Sequence, residues 1–189
     1  MLNFLLLNVN NLGNKVNTLA SLCADSGFNA ICISETWLKP SISTPTVNIP
    51  GYSFYRNDSP SGIGKHGVGI YLKHDMKISK IFTDHANTLG ILLCDYNLAI
   101  LLVYRPPSNS SAENASLIQY LLEFSHDHEL LLLGDFNLPN ILWTEDPPTV
   151  HASLDSNFFD LFVERGLSQW IDSPTTLRSD NIIDLVPDI

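Results

Sequence analysis

The stretch Leu131-Leu132-Leu133-Gly134-Asp135-Phe136-Asn137-Leu138-Pro139 decides the fold. With Leu130 before it, the run is apolar at every position and does not alternate. Such a strand is covered on both faces, so it sits inside a sheet with a layer on each side. The run stops at Gly134 and then places Asp135 and Asn137 two residues apart. At a strand end, residues i and i+2 point the same way, so both polar groups can face one site. An Asp can serve as general base or metal ligand, and an Asn can orient a phosphate oxygen or a water without adding charge. The same Asp-x-Asn spacing also suits an Asx-turn that merely caps the strand.

Working outward, the chain alternates strands and helices. Strand 3–9 opens it. A helix from about Asn14 to Ser26 follows, with Val16, Leu19, Leu22 and Cys23 on one face and Gly27 as its stop. Strand Ala30–Ser34 leads into a long loop with Pro40, Pro45 and Pro50. Tyr52–Arg56, Val68–Leu72, Lys77–Phe82, Thr88–Asp95 and Leu98–Tyr104 read as further strands, with a Gly-rich turn at Ser61–Gly67. A helix from about Glu113 to His126 carries Leu117, Tyr120, Leu121 and Phe124 at helical spacing. Another spans about Leu154–Arg165 and stops at Gly166. Ile182–Val186 is the last apolar run. Strand-rich hairpins mixed with helices predict an α/β sandwich, two packed sheets with helices outside. No repeat or linker divides residues 1–189, which read as one domain.

The chain has 189 residues, 44% hydrophobic and 16% charged, with a formal net charge of −10. That composition excludes a disordered tail and a basic nucleic-acid coat protein. It allows a phosphodiesterase built on clustered carboxylates. The charge is uneven. Residues 51–80 carry Arg56, Lys65, Lys73, Lys77 and Lys80 against Asp58 and Asp75, whereas residues 81–189 carry three arginines against 16 acids. A polyanion would touch the 51–80 stretch first; the same lysines also suit a plain solvated hairpin. Cys23, Cys32 and Cys94 show no CxxC spacing and read as reduced, buried thiols of an intracellular protein, not a zinc site. The apolar start, Met1–Leu7, meets Asn8 and Asn10 at once and reads as a strand, not a signal peptide. No run is long enough to span a bilayer.

Three more apolar strands end in polar groups. Strand 3–9 presents Asn8 and Asn10. Ala30–Ser34 ends at Glu35, a natural place for a hard-cation ligand or for an exposed turn glutamate. Leu98–Tyr104 ends in Tyr104-Arg105-Pro106-Pro107, where the hydroxyl and guanidinium could bond a phosphate, or pack at a sheet edge and face solvent. Ligand sites gather at strand ends, and four such ends outweigh any one motif. Gly62, Gly64, Gly67 and Gly69 lie between strands and not at a strand-to-helix turn, which speaks against a nucleotide-binding fold.

The ordered set Leu7-Asn8-Val9-Asn10, Ile33-Ser34-Glu35-Thr36-Trp37-Leu38, Gly67-Val68-Gly69-Ile70-Tyr71-Leu72-Lys73, Val103-Tyr104-Arg105-Pro106-Pro107, Leu133-Gly134-Asp135-Phe136-Asn137 and Ile182-Ile183-Asp184-Leu185-Val186 resembles the endonuclease/exonuclease/phosphatase superfamily. Within it the chain most resembles the endonuclease domain of LINE-type, non-LTR retrotransposon reverse transcriptase polyproteins. The resemblance implies a DNase I-like, four-layer sandwich of two mixed sheets flanked by helices, incomplete at the C-terminus. It implies a Mg²⁺- or Mn²⁺-dependent endonuclease that nicks duplex DNA to prime reverse transcription, with a nuclear location, no membrane and no obligate protein partner.

Residue by residue, the resemblance implies that Glu35 holds the metal and that Asn8 and Asn10 shape the metal and phosphate site. Asn10 stands where many relatives place an Asp. Tyr104 would contact the scissile phosphate, with Arg105 beside it. Asp135 would position or deprotonate the attacking water, Asn137 would hold the phosphate, and Asp184 would orient a histidine. Relatives carry a Ser-Asp-His segment some tens of residues beyond Asp184, whereas this sequence ends at Ile189. His66, His74, His85, His126, His128 and His151 lie in no such segment; most are expected in surface or loop positions and none as a substitute. The chain is therefore expected to be a truncated domain, weak or inactive, or else another phosphodiesterase of the same superfamily. Arg178–Asn181 falls where relatives have a loop near DNA and also reads as a polar turn.

Overall fold

Leu5, Leu7, Ile31 and Ile33 set the first layer. In the computed structural model, β1 (Phe4–Asn8) and β2 (Ala30–Ser34) run parallel, with Leu5 opposite Ile31 and Asn8 opposite Ser34. A parallel pair needs a crossover, and α1 (Val16–Ser26) supplies it. A 3₁₀ turn at Leu12–Asn14 precedes the helix, and Gly27 ends it at φ 62°, where only a residue without Cβ sits at no cost. Leu19 and Cys23 of α1 pack with Ile31, Ile33 and Tyr71. Every residue of β2 is buried, so by alternation Ala30, Cys32 and Ser34 face the other way, into a second layer.

The structure describes residues 2–58, 65–143, 145, 147–171, 184–185 and 187–188. They fall into two compact units, 1–104 and 105–189. In the first unit, β3 (Tyr52–Asn57) and β4 (Val68–Lys73) complete the first sheet in the order β1-β2-β4-β3, both antiparallel to their neighbours. The second layer is the antiparallel run β5 (Ile78–Phe82), β6 (Thr88–Leu93) and β7 (Leu98–Tyr104). Strands β6 and β7 lie against β2 and β4, and Leu89, Ile91, Ile100 and Leu102 are wholly buried.

The second unit opens with α2 (Ser111–Asp127). Its start is fixed by a capping box: Ser110 Oγ accepts from Glu113 N at 3.3 Å, and Ser110 N donates to Glu113 Oε2 at 2.7 Å. The decisive leucine run is β8 (Glu129–Asp135). Two short strands, β9 (Ile141–Leu142) and β10 (Thr149–Val150), pair before α3 (Ser153–Glu164). Strand β11 (Ser168–Gln169) pairs with β13 (Pro187–Asp188), and both β12 (Asp184–Leu185) and β13 run antiparallel to β8. The α/β class with two sheets agrees with the sequence reading.

Three details differ from it. The proline-rich loop holds a 3₁₀ turn at Thr44–Val47 that buries Val47. Cys94 is exposed, because it falls in the turn just past β6, while Cys23 and Cys32 are buried. The helix expected from Glu113 begins at Ser111, since the cap is Ser110. The Gly-rich segment 61–64 and the Arg178–Asn181 stretch lie outside the described residues. Among the described residues no helix is long and apolar enough to cross a membrane.

Candidate active site

The loops leaving β1 and β2 are tied into one corner. Val9 N donates to Ser34 O at 3.1 Å, Asn11 N to Glu35 O at 3.0 Å and Leu12 N to Thr36 O at 3.0 Å, so pairing continues past both strands. Glu35 then takes a left-handed backbone, φ 52°, as do Asn10 at 42°, Asn11 at 83° and Trp37 at 56°. This conformation is uncommon for a Glu or a Trp and collects at functional sites. Among the described residues seven non-glycines have positive φ, and six of them lie in strand-end loops that carry or adjoin the expected site residues.

The Glu35 carboxylate is half-buried and held from two sides. Asn8 Nδ2 donates to Oε1 at 2.7 Å, and Trp37 Nε1 donates to Oε2 at 3.3 Å. Neither donor brings a positive charge. Asn8 Oδ1 accepts from Asn10 N at 3.1 Å, so the Asn10 backbone is fixed while its side chain lies at the surface.

A chain of hydrogen bonds, all backbone but one, links this corner to Tyr104. Trp37 N donates to His66 O at 2.9 Å and Thr36 N to Gly67 O at 3.1 Å. Gly67 N donates to Asn87 Oδ1 at 3.2 Å. Tyr104 N donates to Asn87 O at 2.9 Å. The His66 ring lies beside Tyr104, centroids 5.8 Å apart. Asn8, Glu35, Trp37, His66 and Tyr104 are thus brought to one end of the first unit, and Asn87 holds them there. Sequence reasoning missed Trp37, His66 and Asn87. Trp37, two residues past Glu35, carried a readable signal; Asn87, a left-handed bridge at φ 55°, carried none.

In the second unit Asp135 is 4% exposed at the end of β8, and Asn137 follows at φ 51°. Asn137 Nδ2 donates to Arg105 O at 3.0 Å. The register of β8 with β12 sets Asp184 opposite Asp135. Arg105, expected to reach a phosphate, is 3% exposed. Its Nη1 donates to Phe136 O and Asn137 O at 3.0 and 2.9 Å, and its Nε donates to Asn114 Oδ1 at 2.9 Å. Burial lowers its pKa, while Asp155 and Asp135 oppose that shift.

The basic stretch of residues 51–80 is partly committed within the unit. Arg56 is half-buried, pairs with Asp58 at 2.6 Å and donates to Ile42 O and Lys39 O. Lys80 lies over the Phe82 ring at 4.4 Å. Among the described residues no group of three or more His, Cys, Asp and Glu side chains is arranged to hold a metal. Mg²⁺ is commonly held by one or two carboxylates, with water and substrate phosphate completing its shell, so Glu35 alone fits that mode.

The family model described as endonuclease-reverse transcriptase matches residues 98–187. Over that stretch, just under half of its length, the chain is similar to that family. Among solved structures, an AP endonuclease from Archaeoglobus fulgidus matches at TM-score 0.72 and 13% identity, over 99% of this chain and 86% of that one. The 3′ phosphatase NExo from Neisseria, bound to a product DNA hairpin, matches at 0.72 and 15%, over 100% and 86%. The endonuclease domain of TRAS1, a telomere-specific non-LTR retrotransposon, matches at 0.71 and 16%, over 100% and 85%. At such identities these likenesses establish the fold, which is DNase I-like. No curated protein matches the chain by sequence.

Proposed function

We infer that the chain is a divalent-metal-dependent phosphodiesterase that nicks duplex DNA, and that in a non-LTR retrotransposon the freed 3′-hydroxyl primes reverse transcription. The observation that carries this reading is the Glu35 carboxylate, oriented at a strand end by Asn8 and Trp37, two uncharged donors. A carboxylate fixed in that way suits a hard cation. Glu35 would hold Mg²⁺ or Mn²⁺, with Asn8 orienting it and Asn10 beside it. The cation would neutralise charge developing on the phosphate and the leaving oxygen.

The protein side chains take the remaining roles. Tyr104 donates its hydroxyl to the scissile phosphate. Asp135 accepts a proton from the attacking water, and Asn137 bonds the phosphate through its amide. Asp184, next to Asp135 in the strand register, orients the proton-transfer partner. DNA is the partner; the product hairpin bound to the Neisseria phosphatase is the precedent among the structural neighbours. A nuclear site of action follows from a genomic target.

A plasmid nicking assay tests this. Nicking should require Mg²⁺ or Mn²⁺, stop with EDTA, and be lost in Glu35→Ala and Asp135→Ala. A folded, monodisperse protein that nicks nothing would sink the reading. Hydrolysis of a non-nucleic phosphodiester in place of DNA would keep the chemistry and change the substrate.

A further inference from the structure

Arg105 is bonded to the turn that carries Asp135 and Asn137 and to the helix that follows Ser110. Its Nη1 donates to the carbonyls of Phe136 and Asn137 at 3.0 and 2.9 Å. Its own N donates to Asp135 O at 2.9 Å, and its O accepts from Asn137 Nδ2 at 3.0 Å. Its Nε donates to Asn114 Oδ1 on α2 at 2.9 Å. The planar guanidinium reaches both carbonyls through Nη1 and Asn114 through Nε, a spread that the single nitrogen of a lysine cannot cover.

Helix α3 backs the same turn. The Arg105 guanidinium lies 5.6 Å from the Phe158 ring centre. Phe136 is wholly buried and meets Phe158 and Phe162 edge-on. Asp155 Oδ2 accepts from both N and Nδ2 of Asn140 at 3.0 Å, which pins the far end of the loop. A guanidinium this buried and this engaged faces the turn from inside, not the solvent where DNA would lie.

We propose that Arg105, anchored by Asn114, is a positioning residue that sets the geometry of Asp135 and Asn137 from behind their turn and makes no contact with substrate. The proposal rests on the function inferred above only in treating those two residues as catalytic. It explains why an arginine follows Tyr104 and why Asn137 can hold a left-handed backbone. The carbonyls of 136 and 137 are clamped on one side, and the Asn137 amide is tied on the other.

The test compares the full chain with Arg105→Lys, Asn114→Ala and Asn114→Asp. Two readouts are used: backbone amide exchange at residues 135–140, and kcat and KM for Mg²⁺-supported plasmid nicking. Displacing catalytic groups by an ångström costs on the order of 10²-fold, so Arg105→Lys should lower kcat by roughly 10–100-fold with little change in KM. Exchange at 135–140 should quicken in Arg105→Lys and Asn114→Ala while β4 and β6 stay protected. Asn114→Asp, which keeps an acceptor for Nε, should stay nearer wild type in both readouts. A raised KM at unchanged kcat would show direct phosphate contact and overturn the proposal, as would unchanged exchange in both disruptive variants. Should Arg105→Lys fail to fold, Asn114→Ala decides. A wild-type chain that does not nick would overturn the functional reading, and the exchange data would still decide whether Arg105 fixes the turn.

Discussion

Asn8 Nδ2 donates to Glu35 Oε1 at 2.7 Å. The two residues are 27 apart in sequence and meet because β1 and β2 are parallel, with Asn8 opposite Ser34. A parallel ladder carries both strands out of the sheet at the same end. The amide at the end of one strand therefore reaches the carboxylate one step past the end of the other. The orientation of the candidate metal ligand is a property of the sheet register, not of Glu35's own loop alone.

Asn8→Ala should therefore behave as a metal-affinity variant. It removes the donor to Glu35 and the acceptor of the Asn10 amide together. Loss of a partner that orients a ligand typically costs about 10–100-fold in metal affinity or activity. A Mg²⁺ titration of nicking should show a raised half-saturation concentration, with activity regained at high Mg²⁺. Equal loss at all Mg²⁺ concentrations would show that Asn8 does not act through the cation.

Asn87 makes a separate prediction. Its Oδ1 accepts from Gly67 N, and its carbonyl accepts from Tyr104 N. Asn87→Gly keeps the left-handed backbone within reach and deletes only the side-chain bond. A buried N–H left without its partner costs about 1–3 kcal/mol. Urea unfolding should register that loss, and Asn87→Ala should lose more, because it keeps the Cβ at positive φ that Gly removes and lacks the polar side chain that lets Asn tolerate that region. If Asn87→Gly unfolds like wild type, the bridge to Gly67 contributes nothing.

Much of this arrangement was legible in the sequence. Apolar runs that end in Asn8, Glu35, Tyr104 and Asp135 marked strands, and their polar ends marked a site, because burial and chemistry both act at short range along the chain. The Asn8–Glu35 bond was not legible, since it depends on register between strands far apart in sequence. Arg105 shows the same limit from the other side. Its sequence neighbours suggested an outward-facing cation, and only the fold of residues 111–162 around it turned the guanidinium inward. Asn87 lay in a polar turn whose composition gave no sign that its backbone would bridge two strands.

Gly69 lies within β4, and its surroundings explain why a glycine stands there. A Cβ there would lie 2.5 Å from Phe54 Cε2 and 2.6 Å from Cζ. Phe54 cannot swing away freely, because its ring stacks on the buried Tyr71 at 4.2 Å. Gly69→Ala should destabilise the protein by about 1–3 kcal/mol, the usual cost of overpacking. Combining it with Phe54→Leu should recover part of that loss in a double-mutant cycle. Additive losses would mean that the ring is not what excludes the methyl group.

The buried thiol of Cys32 gives a pH prediction whose sign is fixed by burial. Desolvation raises its pKa from 9.0 to about 12, and the buried Tyr71 hydroxyl, which donates to Val47 O, is raised in the same way. Both groups keep their proton in the folded chain at pH values where the unfolded chain has released it. The Cys32 contribution is therefore fully present below about pH 9 and is lost as pH rises toward 12, while that of Tyr71 holds to about pH 10 before it declines. Between those limits the unfolded state binds fewer protons, so stability should fall by up to about 1.4 kcal/mol per pH unit for each such group. Cys32→Ala lowers stability at neutral pH through the space it opens, but it should also make the alkaline slope shallower by about one proton's worth. Urea midpoints for wild type and variant between pH 8 and pH 11 would show this as converging curves. Parallel curves would mean that the Cys32 thiol ionises alike in both states.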